Sequence, residues 1–288
     1  MTTASQWMAG ARPRTLPLAL CPVLVGTAAA TGHHGVSVWR GALAAVVALS
    51  LQVGVNYAND YSDGVRGTDR DRRGPLRLTA SGVAAPAAVR RAALASFAVA
   101  GAAGLALAVA VDLRLLLVGA LCVAGAWFYS GGRRPYGYAG LGEVAVLFFF
   151  GFVATVGSAY VQHHAIPSAA WWGSLVVGLP AAAVLVVNNL RDIETDSAAG
   201  KRTLAVHLGA PTTVRLFVAL LVAPFLCVVP VAVGHPMALL ALVGAPLAAG
   251  PVRTVVTRSD PASLVAALVG TVRLAIVLSL AFTLGLIL

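Results

Sequence analysis

Charged residues are scarce in this chain: they make up 10% of its 288 residues, whereas 59% of the residues are hydrophobic. Soluble domains contain about 25% charged residues. A soluble chain of this length would need far more polar surface to cover one core. No polar stretch is long enough to form a separate soluble domain. The composition therefore predicts an all-α, polytopic membrane protein in which residues 1–288 form a single domain.

Cysteine is also rare, and Cys21, Cys122 and Cys227 all lie in apolar runs without a CxxC pair. This pattern favours small buried side chains over a zinc site or a disulfide framework. The net charge is +10, which in a soluble protein would suggest nucleic-acid binding. Here the basic residues occupy short loops between apolar runs, so we expect membrane lipids and anionic ligands as partners, and no nucleic acid.

Long apolar stretches recur along the whole chain, and a bilayer core needs roughly 20 helical residues per crossing. On this basis we predict nine transmembrane helices. They are Leu16–Ala30, Trp39–Ala58, Ala87–Val111, Leu113–Ser130, Leu141–Val161, Trp171–Leu190, Thr213–Val233, Met237–Val256 and Ser263–Ile287. If the N-terminus is cytoplasmic, 17 of the 20 Lys and Arg residues fall on the cytoplasmic side. The positive-inside rule then predicts a multi-pass protein of the cell (inner) membrane, with its N-terminus and acidic loops in the cytoplasm.

The ten acidic residues are distributed unevenly, because seven of them form two clusters. These are Asp60, Asp63, Asp69 and Asp71 after the second predicted span, and Asp192, Glu194 and Asp196 after the sixth. Lys and Arg set membrane orientation and acids contribute little to it, so topology does not explain the clustering.

Both clusters contain Asn and Asp at four-residue steps. The steps are Asn56 to Asp60, Asn59 to Asp63, and Asn188 to Asp192 to Asp196. On a helix this spacing puts the oxygens on one face, where like charges repel each other. A divalent cation would compensate this repulsion, and Mg²⁺ prefers hard oxygen ligands of this kind. The metal ligands that we predict from these steps are Asn59, Asp60, Asp63, Asp192 and Asp196.

Basic residues accompany each acidic cluster, and carboxylates, magnesium and Lys or Arg together suit a diphosphate group. One alternative is a solvated loop of mixed charge, which the repetition at two matched positions disfavours. A second alternative is a secondary transporter of an anion or a divalent cation. Transporter sites usually lie at broken helices near the membrane midplane, whereas these clusters lie at predicted helix ends on one face.

At these residues the chain resembles the UbiA superfamily of intramembrane aromatic prenyltransferases. Asn59-Asp60-x-x-Asp63 matches the start of the family's first motif, and Asp192-x-x-x-Asp196, followed by Gly-Lys, matches the second. The Asp-rich spacing DxxxGxD, RPRTLP at 12–17 and YSGGRRPYGY at 129–138 resemble the MenA branch of this superfamily. That branch contains the 1,4-dihydroxy-2-naphthoate prenyltransferases of menaquinone synthesis. The resemblance covers nearly the whole chain.

The resemblance implies a bundle of nine helices around a central cavity, with both motifs at its cytoplasmic end. It also implies a Mg²⁺-dependent transfer of a polyprenyl group from polyprenyl diphosphate to 1,4-dihydroxy-2-naphthoate, with loss of CO₂ and pyrophosphate. Other acceptors of the superfamily, such as 4-hydroxybenzoate, haem or a chlorophyll precursor, stay open. The implied catalytic residues are Asp60, Asp63, Asp192, Asp196 and Lys201, and Asp69 is implied as a further metal ligand. The implied substrate-binding residues are Asn56, Asn59, Arg72, Tyr129, Arg133 and Asn188.

Overall fold

The computed structural model describes residues 2–32, 35–68 and 76–288, and every regular element in these ranges is a helix. The helices are α1 (Ala4–Ala11), α2 (Cys21–Ala29), α3 (Val38–Arg66), α4 (Pro86–Ala110), α5 (Leu115–Phe128), α6 (Gly142–Val146), α7 (Ala154–His163), α8 (Ser168–Arg191), α9 (Ile193–Ala198), α10 (Leu204–Ala232), α11 (Ala245–Thr257) and α12 (Pro261–Ile287). Short 3₁₀ segments cover Leu16–Ala19, Tyr136–Ala139 and Pro236–Gly244, and a π-helix covers Leu147–Val153. The predicted all-α class is confirmed for the described ranges.

Seven helices in the described ranges are long and apolar enough to cross a membrane. They are Val38–Arg66, Pro86–Ala110, Gly142–His163, Ser168–Arg191, Leu204–Ala232, Pro236–Thr257 and Pro261–Ile287. The first and fourth predicted spans correspond to the shorter apolar helices Leu16–Ala29 and Leu115–Phe128. The chain is thus a multi-pass membrane protein, but the predicted count of nine is not confirmed. At 1.5 Å per residue, a 14-residue helix such as α5 covers about 21 Å of a core that is about 30 Å thick.

Helix α3 extends well beyond the predicted end of its span at Ala58. It continues to Arg66 and is capped by Gly67, whose φ of +76° needs a residue without a Cβ. The part of the first motif from Asn59 to Asp63 is therefore helical and does not lie in a loop. Hydropathy predicts the end of a span where polar side chains begin. A helix can continue through polar residues, because its backbone hydrogen bonds do not depend on them.

The second Asp-rich motif departs from the single helical face that its spacing suggested. Helix α8 ends at Arg191, and Asp192 adopts φ −99° and ψ 8° between α8 and α9. The ladder of Asn188, Asp192 and Asp196 is therefore interrupted at its middle member.

Helix α8 lies at the centre of the bundle, because 72% of its most apolar 18-residue segment is buried. The core around it includes Val25 of α2, Val176 of α8, Val228 of α10 and Phe282 of α12. A second core joins α3 to α4 through Tyr57, Val89 and Phe97, among others. The core of Tyr57 lies beside the first motif, and a further core that includes Val187 of α8 and Phe217 of α10 lies beside the second.

The π-helix lies against α8 at a contact between two glycines. A Cβ added at Gly151 would lie 2.8 Å from the Ser174 carbonyl oxygen and 3.3 Å from Gly178 Cα. Such distances leave no room for a side chain, so this close approach requires glycine. π-Helical insertions are frequent at functional sites, and this one lies in the wall of the cavity described below.

Candidate active site

A large cavity lies within the helical bundle, with a volume of about 820 Å³. Ligand pockets usually measure about 300–1,000 Å³. Most of its lining residues are apolar, and they come from α2, α3, α5, α7, α8 and α12, among others. Its charged and amide-bearing lining residues are Arg12, Arg14, Gln52, Asn56, Asn59, Arg77, Asn188 and Arg191. Except for Gln52, these residues lie near the last turns of α3 and α8, which we call the polar end of the cavity.

Four of the predicted substrate-binding residues line this cavity, namely Asn56, Asn59, Tyr129 and Asn188. Asn56 Nδ2 donates to the Ala11 carbonyl at 2.9 Å, which fixes the last turn of α1 against α3. Asn59 Oδ1 accepts from Ser130 Oγ at 2.7 Å. The amides are thus held in fixed orientations by protein partners, as a preorganised binding site requires.

The two Asp-rich motifs meet at Lys201, which is the single lysine of the chain. Its Nζ lies 3.2 Å from Asp63 Oδ2 and 3.9 Å from Asp196 Oδ1. All three residues are buried, with exposures of 6%, 5% and 9% for Lys201, Asp63 and Asp196. Buried charges of this kind persist only when they are paired. The predicted convergence of the two motifs is therefore present in the structure.

Tyr138 completes this charge cluster, although it is not among the predicted site residues. Its hydroxyl donates to Asp63 Oδ1 at 2.6 Å, and its ring centroid lies 4.9 Å from Lys201 Nζ. Burial and the neighbouring Asp63 carboxylate raise the pKa of Tyr138 above its usual range, so the hydroxyl stays protonated and donates. Its position in the glycine-rich loop between α5 and α6 was the available signal, because such loops can approach a site closely.

Arg66 attaches this loop to the end of α3. Its guanidinium donates to the carbonyl oxygens of Ser130 and Gly132, and it also lies 5.5 Å from the centroid of the Tyr138 ring. A planar guanidinium suits such a combination of carbonyl and aromatic contacts. Arg66 therefore positions Tyr138 over Lys201.

Asp60 is 1% exposed and binds the backbone that follows the first motif. Its Oδ2 accepts from the Leu78 N–H and its Oδ1 from the Thr79 N–H, both at 2.8 Å. A carboxylate has about four lone-pair positions, so each oxygen keeps further acceptor capacity. In this structure Asp60 fixes residues 78–79 against α3.

Asp192 forms a bidentate pair with the neighbouring Arg191. Arg191 donates from Nε to Asp192 Oδ1 and from Nη2 to Asp192 Oδ2, both at 2.7 Å, and from Nη2 to Asn188 Oδ1 at 3.0 Å. This fork fixes the plane of a guanidinium that lines the cavity. Arg191 is one of the basic residues that accompany the second acidic cluster in the sequence, but it is not among the predicted binding residues.

Some predicted residues do not join this arrangement. Arg133 is exposed and is not among the residues that line the cavity. Arg72 and Asp69 lie outside the described residues. The arginines that do line the polar end are Arg12, Arg14, Arg77 and Arg191. Arg12 and Arg14 belong to the RPRTLP stretch, which was the sequence signal for them.

The donor types at the polar end suit magnesium bound together with a phosphate group. In residues 2–32, 35–68 and 76–288, no group of three or more His, Cys, Asp or Glu side chains has a geometry that could hold a metal ion. Asp63 and Asp196 nevertheless approach the same ammonium group, and Asn59 lies one helical turn from Asp63. Magnesium usually takes one or two carboxylates and completes its shell with water and substrate phosphate.

Comparison with known proteins gives consistent matches. The sequence model of the UbiA prenyltransferase family matches residues 19–277. The chain is 49% identical over 257 residues to 1,4-dihydroxy-2-naphthoate octaprenyltransferase of Mycobacterium tuberculosis, an alignment that covers 88% of each protein. It is 39% identical over 294 residues to the Escherichia coli protein of the same name, covering 98% of this chain and 95% of the relative.

Solved structures share the fold at much lower identity. A UbiA homolog from Archaeoglobus fulgidus bound to GPP and Mg²⁺ superposes with a TM-score of 0.65 at 14% identity, covering 98% of this chain and 99% of that one. An apo UbiA homolog from Aeropyrum pernix K1 gives 0.64 at 16% identity, covering 94% and 96%. At such identities the likeness concerns the architecture of the bundle.

Proposed function

Because this chain belongs to the UbiA prenyltransferase family, we propose that it transfers a polyprenyl group from polyprenyl diphosphate to 1,4-dihydroxy-2-naphthoate. The products are demethylmenaquinol, CO₂ and pyrophosphate, so the reaction is a step of menaquinone biosynthesis. The relatives named for this acceptor are similar over most of the chain, which supports the choice of acceptor. The observation that carries the proposal is the contact of Lys201 with both Asp-rich motifs beside a large apolar cavity.

The diphosphate binds at the polar end of the cavity. Arg12, Arg77 and Arg191 line this end, and guanidinium groups form bidentate contacts with phosphate oxygens. Asp192 orients Arg191 for such a contact through its own bidentate pair. Lys201 pairs with Asp63 and Asp196, and it contributes a compact positive charge as the pyrophosphate leaves.

Magnesium is the metal that we propose for this site, with Asp63, Asp196 and Asn59 as the residues that would hold it. Asp60 and Asp192 remain predicted ligands, since their carboxylates keep free acceptor capacity beside their present hydrogen bonds. Asp69 remains a predicted ligand outside the described residues. When bound, magnesium would neutralise the charge that develops on the leaving group. The binding of Mg²⁺ with GPP by the structural relative from A. fulgidus supports this choice.

The chemical step breaks the C–O bond of the allylic diphosphate, and both electrons leave with pyrophosphate. The ring carbon that carries the carboxylate attacks the resulting allylic cation and forms the new C–C bond. The C–C bond to the carboxylate then breaks, CO₂ leaves, and the electron pair returns to the aromatic ring. Water would quench the cation, so the apolar lining of the cavity protects the reaction.

The prenyl tail occupies the apolar part of the cavity. Its far end is lined by four buried residues that pack together, namely Val23, Ala44, Leu107 and Val161. On α3 the distance from Asn59 to Ala44 is 15 residues, which corresponds to about 22 Å along the helix axis. The cavity therefore extends deep into the membrane from the phosphate-binding groups.

The distribution of basic residues supports a cell (inner) membrane location with the polar end of the cavity in the cytoplasm. Arg66 and Arg191 end the helices that carry the two motifs, and Arg133 and Arg134 lie in the loop that Arg66 binds. Lys and Arg accumulate on cytoplasmic loops. Membrane lipids surround the exposed apolar side chains of the helices.

The reaction is tested with purified protein in detergent, Mg²⁺ and prenyl diphosphates of several lengths. 1,4-Dihydroxy-2-naphthoate and 4-hydroxybenzoate serve as alternative acceptors, and products are identified by mass spectrometry. We expect a prenylated, decarboxylated product from the naphthoate alone. Product from 4-hydroxybenzoate alone would overturn the acceptor, whereas anion uptake into liposomes without any product would favour a transporter.

A further inference from the structure

Gln52 places a polar side chain in the middle of α3, within a membrane-spanning helix. It lines the cavity, and its Oε1 is buried without a hydrogen-bond partner among the described residues. Unsatisfied polar groups are costly within a membrane, so a polar residue at this depth indicates a functional role.

The residues next to Gln52 on α3 that line the cavity do not bind its amide. Leu51 and Val55, which also line the cavity, are apolar, and Asn56 already donates to the Ala11 carbonyl. Gln52 precedes Asp60 by eight residues, about 12 Å along the helix axis. The unpartnered atom, Oε1, is a hydrogen-bond acceptor, so it cannot pair with the oxygens of a diphosphate, which are acceptors too. The prenyl hydrocarbon offers no hydrogen bond. The aromatic acceptor is the remaining substrate with polar groups.

Gln162 shows the contrasting case of a glutamine with a structural role. It is 1% exposed, and its Oε1 accepts from the Ser37 N–H at 2.8 Å, which joins the start of α3 to α7. Gln52 Oε1 has no such protein partner in the described ranges. Gln162 Nε2 also lacks a partner in these ranges, but Gln162 does not line the cavity, whereas Gln52 does. The unpartnered oxygen of Gln52 is therefore the one that can meet a ligand.

We propose that Gln52 binds the ring hydroxyl of the acceptor that lies away from the reacting carbon, which is the 4-hydroxyl of 1,4-dihydroxy-2-naphthoate. The inference rests on the proposed function. The reacting carbon faces the allylic carbon near the polar end, so the rest of the ring extends inward towards Gln52. A hydroxyl both donates and accepts, so it satisfies either end of the amide.

The test compares two acids that differ by this hydroxyl, namely 1,4-dihydroxy-2-naphthoate and 1-hydroxy-2-naphthoate. Their dissociation constants are measured by isothermal titration calorimetry in detergent for the wild type, for Gln52→Met and for the control Ser50→Ala. Ser50 lies on the same helix but is not among the lining residues. We expect the wild type and the control to bind the dihydroxy acid about 10-fold more tightly, the effect of one hydrogen bond to a neutral group.

Gln52→Met should bind both acids with the weaker affinity, and its melting temperature should equal or exceed that of the wild type. Met has a similar shape and removes a buried oxygen that no described residue satisfies. A Gln52→Met protein that keeps the 10-fold discrimination would overturn the proposal. So would a wild type that forms product but binds both acids equally. Failure of the proposed function differs from both, since the wild type would then form no product from the dihydroxy acid.

Discussion

Lys201 Nζ lies 3.2 Å from Asp63 Oδ2, although the two residues are 138 positions apart in the chain. The same ammonium group lies 3.9 Å from Asp196 Oδ1. One lysine thus links the end of α3 to the segment after α9, and the two Asp-rich motifs act as one charged site beside the cavity. This contact makes the electrostatics of either motif dependent on the other.

Replacement of Lys201 by Met should lower kcat by at least about 100-fold, because it removes a preorganised charge at the leaving group. Lys201→Arg should also be impaired, since a planar fork does not replace a compact ammonium group in a closed cluster. Arg202→Met is the control, because Arg202 is adjacent and exposed. The measurement is prenyl transfer at saturating substrates. Equal activities of Lys201→Met and the control would contradict the role of Lys201.

Asp60 and Asp63 should respond differently to substitution although they lie on the same helix. Asp60→Ala removes two bonds to the Leu78 and Thr79 N–H groups, so we expect a loss of about 3 kcal/mol of stability from these charge-assisted bonds. Asp63→Asn keeps the shape of the side chain and should abolish turnover. It also removes one charge partner of buried Lys201, so a loss of stability should accompany it. Thermal unfolding in detergent and product formation separate the two effects. Near-normal activity of Asp63→Asn with magnesium supplied would count against a catalytic role.

Arg191 should bind the diphosphate through a guanidinium that Asp192 orients. Arg191→Lys keeps the charge but loses the planar fork, so KM for the prenyl diphosphate should rise about 10-fold or more. Asp192→Asn should raise the same KM, because the amide cannot accept both guanidinium bonds. Arg134→Lys is the control, since Arg134 is exposed. If Arg191→Lys leaves this KM at the wild-type value, the diphosphate does not bind here.

Gly157 should affect which prenyl chain lengths are accepted. It lines the cavity in α7, and an added Cβ would meet no atom within 4 Å. Gly157→Leu therefore fills space without a clash and should reduce activity with long donors relative to short ones by about 10-fold. Competition between donors of different lengths, with mass detection of the products, gives the ratio directly.

Gly101→Leu is the matched control for that substitution. Gly101 lies on α4, is exposed, and also has no atom within 4 Å of an added Cβ, but it does not line the cavity. It should leave the donor ratio unchanged. An unchanged ratio in Gly157→Leu as well would place the prenyl tail outside this part of the cavity.

The amino-acid sequence was sufficient to predict the membrane class, the all-α fold and the two motifs that meet. These predictions rest on hydropathy and charge averaged over many neighbouring residues, so an unusual residue at one position does not change them. The predicted end of the second span at Ala58 was too early, since α3 continues to Arg66. Hydropathy does not distinguish a polar loop from a helix that buries its polar side chains in a site.

Several members of the site could not be found from spacing alone. The Tyr138 hydroxyl contacts Asp63 from a loop, although the two residues are 75 positions apart. Only the structure showed that Arg191, at the end of α8, lines the cavity. Arg133 matched a family pattern, yet it is exposed and away from the cavity. Contacts of this kind depend on helix packing, which a motif does not encode.

The sequence by itself determined which residue types are available for a phosphate and a metal ion, because the scarcity of charge makes each acidic cluster conspicuous. Only the tertiary structure decided how the carboxylates are used: Asp60 binds backbone N–H groups, Asp192 orients Arg191, and Asp63 contacts Lys201. The physical reason is distance. Hydrogen bonds and ion pairs form only within about 3–4 Å, and the packing of the helices determines which side chains approach that closely.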